Sequence, residues 1–78
     1  MRIRLYGRLG DMIGAETEVD APGGVTVAEI RQLIRAAHPN ASKVLDRSRA
    51  FAGDWLVDDD QRVDSGSVLD FLPPVSGG

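Results

Sequence analysis

Residues 26–37, T-V-A-E-I-R-Q-L-I-R-A-A, carry the clearest helix signal in the chain. Thr26 followed three positions later by Glu29 matches the capping box, in which each side chain accepts a hydrogen bond from the backbone N–H of the other residue. Apolar residues then recur at steps of three and four, so they form one stripe along the helix. This stripe consists of Val27, Ile30, Leu33, Ile34 and Ala37. The polar residues predicted to face elsewhere are Arg31, Gln32 and Arg35.

Upstream of this helix the hydrophobic period changes to two. Ile3 and Leu5 alternate with polar residues, which is typical of a half-buried strand, and Leu9 is a candidate extension of it. Residues 16–20 show the same alternation and favour a second strand. We expect the two strands to pair as a hairpin, with residues 10–14 forming a short turn that is bracketed by glycines.

Downstream, Pro39-Asn40 is expected to end the helix because proline cannot continue it. Residues 41–47 then favour a short second helix, with Val44 and Leu45 directed inward. Three further strands are predicted, at residues 49–52, 55–57 and 68–72.

The resulting order is two strands, a helix, short strands and a final strand. One long helix can cover one face of a mixed sheet of four to five strands, which gives a two-layer α+β architecture. If the last strand pairs parallel with the first, the helix provides the connection and the cover that parallel pairing requires. The sequence therefore predicts a ubiquitin-like β-grasp domain over residues 1–72, followed by a flexible C-terminal tail over residues 73–78.

Composition excludes several classes of function. The 78 residues suffice for one small core with little room for a substrate pocket, and the net charge of −3 argues against a nucleic-acid partner. Without cysteine there is no thiolate metal site and no cysteine nucleophile, and His38 is the only histidine. Three consecutive aspartates at 58–60 are interpreted as a solvated loop, since the glycine and glutamate of a calcium loop are missing. We expect no metal and no bound cofactor.

Targeting and membrane signals are also missing from the sequence. Met1 leads directly into the first strand pattern without an apolar signal segment, and no apolar run approaches the length of a membrane span. We therefore expect a cytoplasmic protein with no membrane partner.

The last eight residues, F-L-P-P-V-S-G-G at 71–78, combine stiffness with slimness. Pro73 and Pro74 fix φ and remove two backbone donors, so they end the strand and project the chain away from the domain. Gly77 and Gly78 have no Cβ and can thread a channel too narrow for any other residue. This layout is typical of a carboxylate that another protein must reach and modify.

The same eight residues resemble the C-terminus of the small, sulfur-carrying subunit of molybdopterin synthase, the ubiquitin-like MoaD family. The length and the order of elements are similar over the whole chain, and the strict motif is the Pro-Pro-Val-Ser-Gly-Gly ending. The resemblance implies that the tail residues enter the large subunit of the synthase, and that Gly78 carries the chemistry. The inserting residues would be Pro73, Pro74, Val75, Ser76 and Gly77.

The resemblance also implies a reaction sequence and a set of partners. An E1-like enzyme would consume ATP to adenylate the carboxylate of Gly78, and a sulfurtransferase would supply sulfur to form a C-terminal thiocarboxylate. The synthase would be a heterotetramer of two small and two large subunits, in which sulfur passes to a pterin precursor and builds the dithiolene of the molybdenum cofactor. Catalytic side chains would lie on the large subunit, so this chain would not be an enzyme by itself.

A partner-binding surface is predicted from the alternation in the first and last strands. If Ile3, Leu5, Leu69 and Phe71 face the helix, the residues between them face the opposite side. The candidate partner-binding residues are Tyr6, Leu56, Val68 and Leu72. Trp55 has two open interpretations, as part of this surface or as a plug at the edge of the core.

Three other functions share some of these features. A carrier for the thiamine thiazole or for cysteine would have the same tail and a different partner. A protein modifier would be conjugated through Gly78 to lysine side chains of target proteins. A plain β-grasp binding module would tolerate extension of its tail.

Overall fold

The computed structural model describes residues 1–74, and the tail residues Val75, Ser76, Gly77 and Gly78 lie outside the described part. Seven strands and three α-helices are found there, with a single 3-10 turn at Pro39–Ala41. The strands are β1 (Arg2–Leu5), β2 (Glu16–Glu18), β3 (Val25–Thr26), β4 (Arg49–Ala52), β5 (Trp55–Val57), β6 (Arg62–Val63) and β7 (Val68–Leu72). The helices are α1 (Gly7–Ile13), α2 (Val27–Ala37) and α3 (Ser42–Arg47).

The main sheet has five strands in the order β2-β1-β7-β4-β5. The central pair β1 and β7 is parallel, with Ile3 opposite Leu69 and Leu5 opposite Phe71, while the other pairs are antiparallel. The predicted α+β β-grasp architecture is therefore confirmed, including the parallel pairing of the first and last strands. No helix among residues 1–74 has the length and apolar character that crossing a bilayer requires.

Alternation in β1 and β7 follows the predicted register. The side chains of Ile3, Leu69 and Phe71 are fully buried and that of Leu5 nearly so, and they form the floor of the core. Val27, Ile30 and Ile34 of α2 cover this floor, and Leu45 of α3 closes one end. Leu33 and Ala37, which the sequence places in the same stripe, are exposed, so the buried stripe of α2 is narrower than predicted.

Arg31 contradicts the prediction that it faces away from the core. Its side chain is buried, and the guanidinium carbon lies 4.9 Å from the centre of the Phe71 ring. It donates to the carbonyl oxygens of Leu45 (2.5 Å) and Ser48 (2.9 Å) and to Asp59 Oδ1 (2.9 Å). The fork of the guanidinium thus satisfies carbonyls at the end of α3 that would otherwise be buried without donors, which offsets the burial of its charge.

The segment after β1 also differs from the prediction. Leu9 does not extend the strand, and residues 10–14 are not a simple turn, because α1 occupies Gly7–Ile13. Gly7 permits the abrupt change of direction with a φ of +57°, and Leu9 is then fully buried. Gly10 permits close packing, since a Cβ there would lie 2.9 Å from the carbonyl oxygen of Leu5. The short β3–β6 sheet, with Val25 opposite Val63, was not predicted either.

The capping box at the start of α2 is present in full. Glu29 N–H donates to Thr26 Oγ1 (3.2 Å), and Thr26 N–H donates to Glu29 Oε1 (3.1 Å). The hydrogen bond from the Thr26 backbone, followed by that from its hydroxyl, holds the pKa of Glu29 below its ordinary value of 4.5. A lowered folded-state pKa means that the ionised carboxylate stabilises the fold above pH 4.5 and that this contribution is lost as pH falls through the lowered value.

We expect Thr26→Ala to lower the free energy of unfolding by about 1 kcal/mol, because one helix N–H loses its acceptor. Glu29→Gln keeps an acceptor but removes the charge, so it should be less stable than wild type at pH 7 and equally stable in acid. Urea unfolding of both proteins across this pH range measures the difference. A gap between Glu29→Gln and wild type that persists below the lowered pKa would contradict the assignment.

Candidate functional site

The sheet face opposite α2 carries the candidate partner-binding residues. Tyr6, Leu72 and Val68 are 42%, 40% and 38% exposed, and Leu56 on the edge strand is 51% exposed. Phe51 joins them, since it lies opposite Leu56 in the β4–β5 pair while its neighbour Ala50 is buried. We call these five residues the outer patch.

A shallow cleft forms where strands β1, β7 and β4 meet on this face. Its walls include Tyr6, Phe51 and Leu72 of the outer patch, and Asp70 lies between them. Gly53 and Asp54, in the turn between β4 and β5, close one side. Val68 lies at the opposite end of β7 and does not line this cleft, although it shares the face.

The centre of the outer patch is polar. Asp70 is only 8% exposed and accepts a bidentate interaction from Arg4, with Nε at 2.7 Å from Oδ1 and Nη2 at 3.1 Å from Oδ2. The Tyr6 hydroxyl lies 3.5 Å from the same Oδ1. The hydrogen bond to Asp70, reinforced by its negative charge, raises the pKa of Arg4 above its usual value. The pair is therefore a fixed feature of the face, held across the parallel strands by the register that puts Arg4 opposite Asp70.

Sequence reasoning missed Phe51, Arg4 and Asp70 as members of this surface. The signal for Phe51 was its place beside Ala50 in a short strand, where one of two neighbours must face outward. Arg4 and Asp70 each alternate with buried apolar residues, so both were identifiable as outward-facing. Their contact depends on the register of two strands that are 66 positions apart in the chain.

Trp55 belongs to neither of the two predicted roles. Its side chain is 78% exposed, so it does not plug the edge of the core. It pairs with Ala52, which packs against the core, whereas Leu56 pairs with Phe51 on the outer face. The register therefore places Trp55 at the free edge of the sheet, on the side opposite the outer patch.

The base of the tail is fixed by the end of β7. The Tyr6 N–H donates to the carbonyl oxygen of Phe71 (3.2 Å), and Pro73 packs against Gly7, where a Cβ would lie 3.1 Å from Pro73 Cγ. Pro73 is half-buried and Pro74 is exposed, so the chain leaves the domain at this point. The predicted roles of Val75, Ser76, Gly77 and Gly78 fall on residues outside the described part.

The aspartates at 58–60 do not converge on a common centre. Asp59 is bound to Arg31, and all three side chains are exposed. Within residues 1–74 no group of three or more histidine or acidic side chains has the arrangement of a metal site.

Comparison with known proteins agrees with this geometry. A family model described as the ThiS family matches residues 3–78. The crystal structure of SAMP1 from Haloferax volcanii is similar, with a TM-score of 0.83, 26% identity, and coverage of 99% of this chain and 97% of that chain. A crystal structure of small archaeal modifier protein 1 from H. volcanii, at 23% identity, has a TM-score of 0.82 and covers 95% of each chain, which shows the shared fold. No curated protein matches the sequence.

Proposed function

This chain belongs to the ThiS family, and on that premise we propose that it is a ubiquitin-like sulfur carrier that holds sulfur as a thiocarboxylate on Gly78. The observation that carries the proposal is the family match, which extends through Gly77 and Gly78 and includes the whole β-grasp domain. The structure supports it by fixing the base of the tail at Pro73, which leaves the following residues outside the packed core.

The chemistry that we propose compensates for the poor reactivity of a carboxylate. A carboxylate oxygen of Gly78 attacks the α-phosphate of ATP on an E1-like enzyme, which forms an acyl-adenylate and releases pyrophosphate. Sulfur from a donor sulfurtransferase then attacks the acyl carbon, and AMP leaves with the C–O bond electrons. Because the chain has no cysteine, it holds no side-chain thiol that would compete for this sulfur.

We propose molybdopterin synthase as the destination of the sulfur. The Pro-Pro-Val-Ser-Gly-Gly ending supports this choice, because it matches the small subunit of that synthase in more positions than the Gly-Gly pair shared among ubiquitin-like proteins. The tail would enter the large subunit, and the outer patch would dock against it in a heterotetramer with two copies of each chain. The catalytic groups would then be those of the large subunit.

A second candidate function is protein modification through Gly78. The similarity to SAMP1 of Haloferax volcanii, at 26% identity over nearly the whole chain, favours it. Here a lysine amine of a target protein would attack the activated Gly78 acyl group in place of the sulfur donor. The first step, adenylation, is common to both functions.

The proposal is tested by the intact mass of the protein after co-expression with an E1-like enzyme and a sulfurtransferase. We expect a mass increase that corresponds to exchange of one oxygen for sulfur, and alkylation by iodoacetamide at Gly78. The lack of cysteine makes alkylation specific, since no side-chain thiol reacts. Unchanged mass, or alkylation at another residue, would overturn the carrier function.

The same preparation separates the two destinations. Conversion of the cyclic pterin phosphate precursor on addition of the large subunit supports the synthase. Ladders of conjugates on other proteins, with Gly78 linked to lysine, would favour the modifier function instead.

A further inference from the structure

The cationic residues closest to the base of the tail are arginines. Lys43 is the only lysine among nine Lys and Arg residues, so the chain offers one side-chain amine. Because an activated acyl group on Gly78 reacts with amines, the placement of amines and guanidinium groups matters for a carrier. This inference rests on the proposed activation of Gly78.

Arg49 and Arg8 flank the point where the tail leaves the domain. Arg49 lies opposite Leu72 in the β4–β7 pair, and the Cα atoms of such antiparallel partners are about 5 Å apart. Arg8 follows Gly7, which packs against Pro73. Both side chains are exposed, and neither forms an ion pair with any residue in the range 1–74.

The tail is long enough to fold back onto these positions. Residues 73–78 span at most about 20 Å when extended, at about 3.3 Å per residue. A nucleophile at position 49 or 8 would therefore meet the acyl carbon of Gly78 within the same molecule, where effective concentrations exceed those of bimolecular encounters by orders of magnitude.

An amine and a guanidinium differ sharply in what they would do there. An unprotonated lysine amine attacks the acyl carbon, a C–N bond forms, the C–O bond to AMP or the C–S bond to a thiol breaks, and the amine proton passes to solvent. The guanidinium of arginine stays protonated up to a pH above 12, and its nitrogen electrons are delocalised, so it provides the same charge without this reaction.

The remaining amines lie away from the base of the tail. The α-amine of Met1 donates to the carbonyl oxygen of Val19 (2.7 Å) and lies 3.7 Å from Glu18, at the opposite end of β1. Lys43 is in the first turn of α3, whereas Arg49 follows the end of that helix.

We propose that Arg8 and Arg49 place positive charge beside the tail in a form that cannot accept an acyl group, so that activated Gly78 does not cap itself on its own chain. The expected consequence of lysine at either position is an internal amide that joins it to Gly78 and removes the carrier from use.

The test installs a thioester on Gly78 chemically. The full chain is fused through Gly78 to an intein and released with 2-sulfanylethanesulfonate, then kept at about pH 8.5, where a small fraction of lysine amine is unprotonated. The cyclic amide, lighter than the hydrolysed chain by one water, is quantified by intact mass and mapped by peptide sequencing. Each variant is made in a Lys43→Arg background, so that the introduced amine is the only one on a side chain.

We expect Arg49→Lys and Arg8→Lys to give at least about tenfold more cyclic product than their parent. Arg49→Gln, which removes the charge without adding an amine, should match the parent. Arg2→Lys is the control for distance: Arg2 lies opposite Val68, four residues before Leu72, which places its amine about 13 Å further along the sheet, and it should also match the parent.

Equal cyclisation in Arg2→Lys and Arg49→Lys, or none in Arg49→Lys and Arg8→Lys, would overturn the inference. So would wild type that cyclises through Lys43 as fast as Arg49→Lys does. Because the thioester is made without an activating enzyme, these outcomes do not depend on the proposed function. A failure of enzymatic thiocarboxylation would refute that function and leave the cyclisation result intact.

Discussion

A version of this chain with one residue added after Gly78, or with Gly78 deleted, is expected to lose sulfur-carrier activity entirely. In the extended form the acyl carbon of Gly78 belongs to a peptide bond and has no carboxylate to adenylate. In the shortened form the terminal carboxylate is about 3.5 Å short of its place in the activating site, and displacements of about 1 Å already cost large factors in rate. We expect thiocarboxylate formation to fall below detection in both.

Stability separates this loss from unfolding. The buried core found in residues 1–74 is complete at Phe71, so urea unfolding midpoints of both variants should equal that of wild type. Ser76→Ala, which changes a tail residue but keeps the length and both glycines, is the matched control and should still be thiocarboxylated. Retained pterin conversion by the extended chain would contradict the terminal-carboxylate mechanism.

The sequence predicted those elements whose local signals agree with their packing. The bounds of β4, β5 and β7 and the capping box of α2 match the structure, because each has alternating residues or a cap followed by a regular period. The parallel β1–β7 pair was also predicted, since both strands carry the central apolar residues of the sheet.

Helix α1 shows where local signals fail. It has two glycines, lacks a side-chain cap at Tyr6 and spans seven residues, so its propensity is poor and its stability comes from burying Leu9. Arg31 shows the same limit in α2. It lies four residues after Val27 and three before Ile34, on the buried face, but a charged residue there is explained only by carbonyls that α3 brings to it.

The candidate site was predicted in part for a related reason. Tyr6 and Leu72 follow from the period of two within single strands, which also assigns their face. The Arg4–Asp70 pair and the addition of Phe51 depend on which strands are neighbours, and that is decided by the assembled sheet.

Exchange of a single strand position should separate the core from the docking face. Phe71 is fully buried beneath Arg31, so Phe71→Glu places an unpaired carboxylate in the core and removes the aromatic ring. We expect a loss of at least about 4 kcal/mol in the free energy of unfolding, which is enough to unfold a domain of this size. Circular dichroism of the purified variant measures this loss.

The neighbouring substitution Leu72→Glu should leave the domain folded, with a change within about 1 kcal/mol, because Leu72 is 40% exposed and faces away from α2. Its effect should fall on association, since the new charge lies beside the half-buried Phe51 and nearly buried Asp70, at the centre of the proposed interface. We expect binding to the molybdopterin synthase large subunit to weaken about a hundredfold, or roughly 3 kcal/mol.

Leu33→Glu is the matched control for this effect. Leu33 is 43% exposed, so the same substitution is made at nearly equal exposure, but it lies on α2 rather than on the outer patch. Calorimetric titration of the large subunit with both variants should show near wild-type affinity for Leu33→Glu and weak binding for Leu72→Glu. Equal affinities would show that the outer patch is not the docking face, and Tyr6 and Leu56 would lose their proposed role with it.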